Sequence, residues 1–161
     1  MVEGNDNRGI DNAFISKFEI VSSKLHKIKF KGGTKDQIGD TRPILEGVFS
    51  IDDHNVSIFN VHFPAPYNPR FMREDAFNTL NELSNERTNV NIALGDFNVT
   101  SLEDADANLY GKFNKDWYIS HLDQCKECKG TNYYYRDDRW SFLDAVMPVS
   151  YTHLRAHETP A

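Results

Sequence analysis

Asn89-Val-Asn-Ile-Ala-Leu-Gly-Asp-Phe-Asn98 decides how the rest of the chain is read: a short apolar strand that runs straight into a Gly-Asp loop. A second segment has the same form. Asn55-Val-Ser-Ile-Phe-Asn-Val-His-Phe63 is an apolar strand ending in a polar group, and Pro64 and Pro66 forbid its continuation. The two-residue period puts Val56, Ile58, Asn60 and His62 on one face and Ser57, Phe59, Val61 and Phe63 on the other. Both faces read as largely covered, which implies a sheet stacked inside an α/β domain.

Between these strands Met72, Ala76, Leu80 and Leu83 recur at helical spacing, with Asn68 expected as N-cap and Pro69 as the first helical residue. A strand, a crossover helix and a second strand form a parallel pair, so His62 and Asp96 are expected at one carboxyl edge. Upstream, 43–51 and 55–63 flank Asp52-Asp53-His54 as an apolar hairpin, and 13–20 with 24–30 read as a mostly exposed hairpin split at Val21-Ser22-Ser23. Downstream, short helices are expected around 102–113, then two strands at 130–135 and 141–147 joined by a charged turn.

The 161 residues suit one domain, with 39% hydrophobic and 26% charged residues, the balance of a soluble globular protein. The net charge of -6 argues against a broad basic surface for nucleic acid. No apolar run approaches the length needed to span a bilayer, and no export signal is visible in the polar residues after Met1. The stretch 150–161 has no periodicity and is read as a non-native tail, so His153 and His157 receive no role.

Three features could carry chemistry. In Gly95-Asp96-Phe97-Asn98, a carboxylate and an amide at i and i+2 of an extended loop point the same way, one to orient or deprotonate water and one to hold a phosphate oxygen. The bland alternative is an Asx turn after a strand. His62, alone a capped structural residue, gains weight when paired with Asp96. His121, Cys125 and Cys128 form H-x3-C-x2-C, three zinc ligands without a fourth, so a Cys125–Cys128 disulfide or two free thiols is preferred to a metal site.

The ordered set RGID (8–11), TRPILEG (41–47), NVHFPAP (60–66), ALGDFN (93–98), GTNYYY (130–135) and WSFLDAV (140–146) resembles the endonuclease/exonuclease/phosphatase superfamily. The resemblance runs through nearly all of residues 5–149 and implies a partial domain over 1–149. The implied architecture is a four-layer α/β sandwich of two packed mixed sheets flanked by helices, incomplete here. It further implies a phosphoester substrate, nucleic acid among the candidates, and Mg²⁺ or Mn²⁺ as cofactor. Asp96 would activate water, Asn98 would hold the scissile phosphate, His62 would support the phosphate or leaving group, and Arg42 would approach the phosphate. Asp144 matches a late Asp that works with a catalytic His. The family's principal metal-binding Glu and that His have no counterpart, so both ends of the site are expected outside this sequence and the fragment is expected to be inactive. The alternative is a non-catalytic binding or scaffold domain that keeps the fold.

Overall fold

A computed structural model of the chain describes residues 9–39 and 41–150. Its centre is a five-stranded mixed sheet of β1 (Glu19–His26), β2 (Ile44–Ile51), β3 (His54–His62), β4 (Val90–Asp96) and β7 (Asp144–Pro148). The order is β1-β2-β3-β4-β7, with β3 and β4 parallel and every other neighbour antiparallel. The helix α1 (Arg70–Asn85) makes the crossover from β3 to β4. Three short helices, α2 (Ser101–Ala107), α3 (Leu109–Phe113) and α4 (Ser120–Asp123), and the hairpin of β5 (Asn132–Tyr134) and β6 (Arg139–Ser141), lie between β4 and β7.

The hairpin between β2 and β3 is tighter than its sequence suggests. Asp52 and Asp53 have φ of 48° and 63°, the pair of left-handed residues that a two-residue type I′ connection requires, and His54 already belongs to the strand. Alternation along β3 follows the two-residue period: Ser57, Phe59, Val61 and Phe63 are buried, while Val56, Ile58, Asn60 and His62 are half-buried.

The buried face packs under the helices. Ile44, Phe59, Val61, Ala93, Ala145 and Met147 of the sheet meet Ala76, Phe77, Leu80 and Leu83 of α1. Phe77 stacks on Phe113 at 4.6 Å and on Phe97 at 5.5 Å, and Phe63 meets Phe77 edge-on at 5.1 Å. Each such ring contributes about 2–3 kcal/mol by leaving water. The opposite face is thinly covered: Phe14 packs edge-on against Phe49 at 5.1 Å, and Asn60 Nδ2 donates to the Ala13 carbonyl.

The α/β architecture is as expected, and of the expected sandwich the described residues supply a five-stranded mixed sheet and a separate two-stranded hairpin. Four local expectations are corrected. Residues 19–26 form one strand, because a bulge between Ile20 and Ser22 absorbs Val21 and keeps the chain in register with β2; residues 27–30 are not a strand. The helix begins at Arg70 with Pro69 as N-cap, since Asn68 closes the preceding turn by donating its N–H to the Ala65 carbonyl. Residues 132–134 form an exposed hairpin strand, shorter than the 130–135 expected, and the 141–147 segment is broken at Phe142-Leu143. The expected tail boundary falls at Ser150, whose N–H donates to the Asp116 carbonyl at 3.0 Å; the remainder, 151–161, lies outside the described residues, as does Arg8.

Candidate active site

The register of the sheet sets His62 opposite Asp96 across the parallel pair and Asp96 opposite Asp144 across the antiparallel pair. Residues paired directly across neighbouring strands share a face, so these three side chains form one row at one edge of the sheet. His62 Nε2 lies 3.7 Å from Asp96 Oδ2, beyond a direct hydrogen bond but close enough for a charge pair when the ring is protonated.

Gly95 makes this edge possible. Its φ is +128°, and a Cβ there would sit 2.1 Å from the Val61 carbonyl oxygen, so β3 and β4 can close only around a glycine. Past it the ladder continues through the loops: Phe63 N–H donates to the Asp96 carbonyl at 2.8 Å and Phe97 N–H to the Leu143 carbonyl at 2.7 Å. Phe63 and Phe97 themselves point into the core, 5.2 Å apart, and anchor the residues on either side of them.

Asn98 is buried with φ of 54°, so Asp96-Phe97-Asn98 is a turn and not the extended loop expected. Its backbone N–H donates to Asp96 Oδ1 at 2.8 Å, which is the Asx turn, and its side-chain Nδ2 donates to the Phe63 carbonyl at 2.8 Å. The Asx turn is thus present, and it brings the amide and carboxylate to one place. Burial raises the Asp96 pKa above its ordinary value; the Asn98 N–H, His62 and Arg42 pull it down, and Asp144 pushes it up. Arg42 is itself buried and close enough to act on that carboxylate.

Asp144 joins the row but is exposed to solvent. Its backbone N–H donates to Thr131 Oγ1 at 3.0 Å, which ties the start of β7 to the segment leading into β5. Cys125 and Cys128 are joined in a disulfide, their Cα atoms 5.3 Å apart, and no group of three or more His, Cys, Asp or Glu capable of holding a metal occurs among the described residues. His121 instead stacks on Phe142 at 4.3 Å, and burial lowers its pKa.

No protein-family model and no curated protein sequence matches the chain. Solved structures do. An endonuclease/exonuclease/phosphatase family protein from Leptotrichia buccalis superposes over 81% of this chain and 49% of its own, at 16% identity and a TM-score of 0.55. TDP2 from D. rerio, in complex with a single strand DNA product, superposes over 82% and 53%, at 13% identity and a TM-score of 0.60. The mannosyl-6-phosphatase Bt3783 of Bacteroides thetaiotaomicron gives 84% and 54%, 19% identity and a TM-score of 0.51. The chain has the endonuclease/exonuclease/phosphatase fold. It spans about half the length of these three structures.

Within this fold the sequence pointed to His62, Asp96, Asn98, Asp144 and Arg42, and all five gather about the carboxyl ends of β3 and β4. One buried ion pair escaped it. Arg73 is a fully buried cation on α1, and Glu103 on α2 receives it. Arg73 shares the buried stripe of Phe77, Leu80 and Ser84, so a charge at a core-facing helical position was the available signal.

Proposed function

We propose that this chain forms part of a divalent-metal-dependent phosphoester hydrolase that works by in-line attack of water, without a covalent intermediate. The observation that carries the reading is the row of His62, Asp96 and Asp144 across three strands, with the Asn98 turn closing on Asp96. Asp96 orients the attacking water and accepts its proton as the new P–O bond forms. Asn98 and Arg42 hold the phosphate oxygens, and His62 supports the phosphate or leaving oxygen as the old P–O bond breaks. Asp144 acts beside Asp96 on the same edge.

A Mg²⁺ or Mn²⁺ ion is expected to polarise the phosphate and steady the leaving oxygen. The described residues do not complete a site for it: Asp96 and Asp144 offer two carboxylates at most, and no group of three candidate ligands is present among them. A third ligand would have to come from residues outside those described, and the activity proposed is that of the whole protein.

Phosphoester chemistry is common to the relatives in fold, one bound to a DNA product and one a sugar phosphatase. The net charge of -6 disfavours tight duplex binding, which leaves single-stranded nucleic acid and small phosphoesters as the first substrates to assay. The experiment is turnover of a chromogenic phosphodiester, sugar phosphates, RNA and single-stranded DNA by the complete gene product with Mg²⁺ or Mn²⁺. Asp96→Ala should lower the rate by about 10³-fold or more. Unchanged turnover in that variant refutes the role given to Asp96, and no turnover of any of these substrates by the wild-type product favours a non-catalytic binding domain on the same fold.

A further inference from the structure

Arg73 is 1% exposed, and every N–H of its guanidinium is used. Nε donates to Glu103 Oε2 at 2.6 Å, and Nη2 donates to Glu103 Oε1 and to the Asn68 carbonyl. Nη1 donates to the carbonyls of Pro64 at 3.0 Å and Ala65 at 2.8 Å. Five donors thus meet five acceptors in the fork geometry that only Arg supplies.

These acceptors belong to two particular pieces of chain. Pro64, Ala65 and Asn68 form the loop that leaves β3 immediately after His62 and Phe63. Glu103 lies in the first turn of α2, where its own N–H donates to Oγ1 of the N-cap Thr100 at 3.2 Å. Two residues before that cap stands Asn98, whose side chain returns to the Phe63 carbonyl. The contacts therefore close a ring: His62 loop, Arg73, Glu103, Thr100, Asn98 and back to Phe63.

A bidentate pair this deep is poor evidence of stability, since desolvation consumes much of its attraction. What it does supply is a fixed distance and angle between two loops. We propose that Arg73 and Glu103 are positioning residues, a clamp that locks the loop after His62 to the helix after Asn98 and so holds the two ends of the site in register. Neither touches the phosphate. Arg73 reaches the site through the carbonyls of 64–68, and Glu103 through the cap of α2.

The clamp's catalytic consequence rests on the hydrolytic reading; its mechanical consequence does not, and the two are measured separately. Amide hydrogen exchange is followed on the 161-residue chain. Glu103→Gln and Arg73→Lys should each speed exchange of the Phe63 and Asn98 amides by about tenfold or more over any change within the β2–β3 and β3–β4 ladders. No change at those two amides, or equal acceleration throughout the sheet, overturns the clamp. Glu103→Gln preserves shape and carries the test if Arg73→Lys does not fold.

Kinetics on the complete gene product then read the consequence for turnover. Glu103→Gln should lower kcat by about ten- to a hundredfold while KM stays within about twofold, the signature of misplaced reacting groups. Reduced stability with unchanged kcat overturns the positioning role. If the wild-type product hydrolyses no phosphoester, the hydrolytic reading falls, and the exchange data still decide whether the clamp exists.

Discussion

The two faces of the central sheet are built to different rules. On the helix side, Phe59, Val61, Ala93 and Met147 are almost fully excluded from water under α1 and the aromatic cluster of Phe63, Phe77, Phe97 and Phe113. On the other side, Ile58, Ile92 and Leu94 are half-buried and Val90 and Val146 are exposed, and it is this face that carries His62, Asp96 and Asp144 at its edge. Alternation along a strand lets the same few residues do both jobs. Phe63 and Phe97 fix the backbone from the dry side, while their neighbours His62, Asp96 and Asn98 assemble a polar site from it.

The contrast predicts unequal costs for truncation. Phe77→Ala removes the ring on which Phe97 and Phe113 both stack, and should cost about 3–5 kcal/mol in urea denaturation of the chain. Val146→Ala, on the open face, should change stability by no more than about 0.5 kcal/mol. Equal costs at the two positions contradict the difference between the faces.

The site edge itself should show a pH signature. Burial raises the Asp96 pKa, so the folded state binds that proton more tightly than the unfolded chain does. Between the ordinary carboxylate value and the raised one, stability should therefore fall as pH rises, and the ionised, water-activating form should appear only above the raised value. The acid limb of the pH–rate profile of the complete gene product should accordingly lie above the ordinary Asp range. Asp144→Asn removes a neighbouring negative charge and should move that limb to lower pH. An unmoved limb in Asp144→Asn removes Asp144 from the electrostatics of the site.

The parts legible in the sequence were those fixed by local pattern. Strict alternation in 55–63, the Met72-Ala76-Leu80-Leu83 stripe and the Pro64 and Pro66 stops define β3, α1 and the point where His62 emerges. The crossover then makes β3 and β4 parallel and sets His62 beside Asp96. What was not legible depends on contacts remote in sequence. Val21-Ser22-Ser23 resembles a turn because β1 is an exposed edge strand with a bulge, where side-chain polarity carries no information about pairing. The break after Ser141 arises because the Leu143 carbonyl is taken by Phe97, forty-six positions back. The exposure of Asp144 follows from its place at the end of the outermost strand of the sheet. Arg73 and Glu103 find each other only once the crossover has been made.

The most direct test pairs rate with stability in one variant, Asp96→Asn in the complete gene product. Burial disfavours its charged form, so the amide should leave the melting temperature equal or higher, and on the proposed role it should abolish metal-dependent phosphoester turnover. Full turnover in Asp96→Asn, or a loss of turnover explained by loss of the fold, contradicts the assignment of this edge as a hydrolytic site.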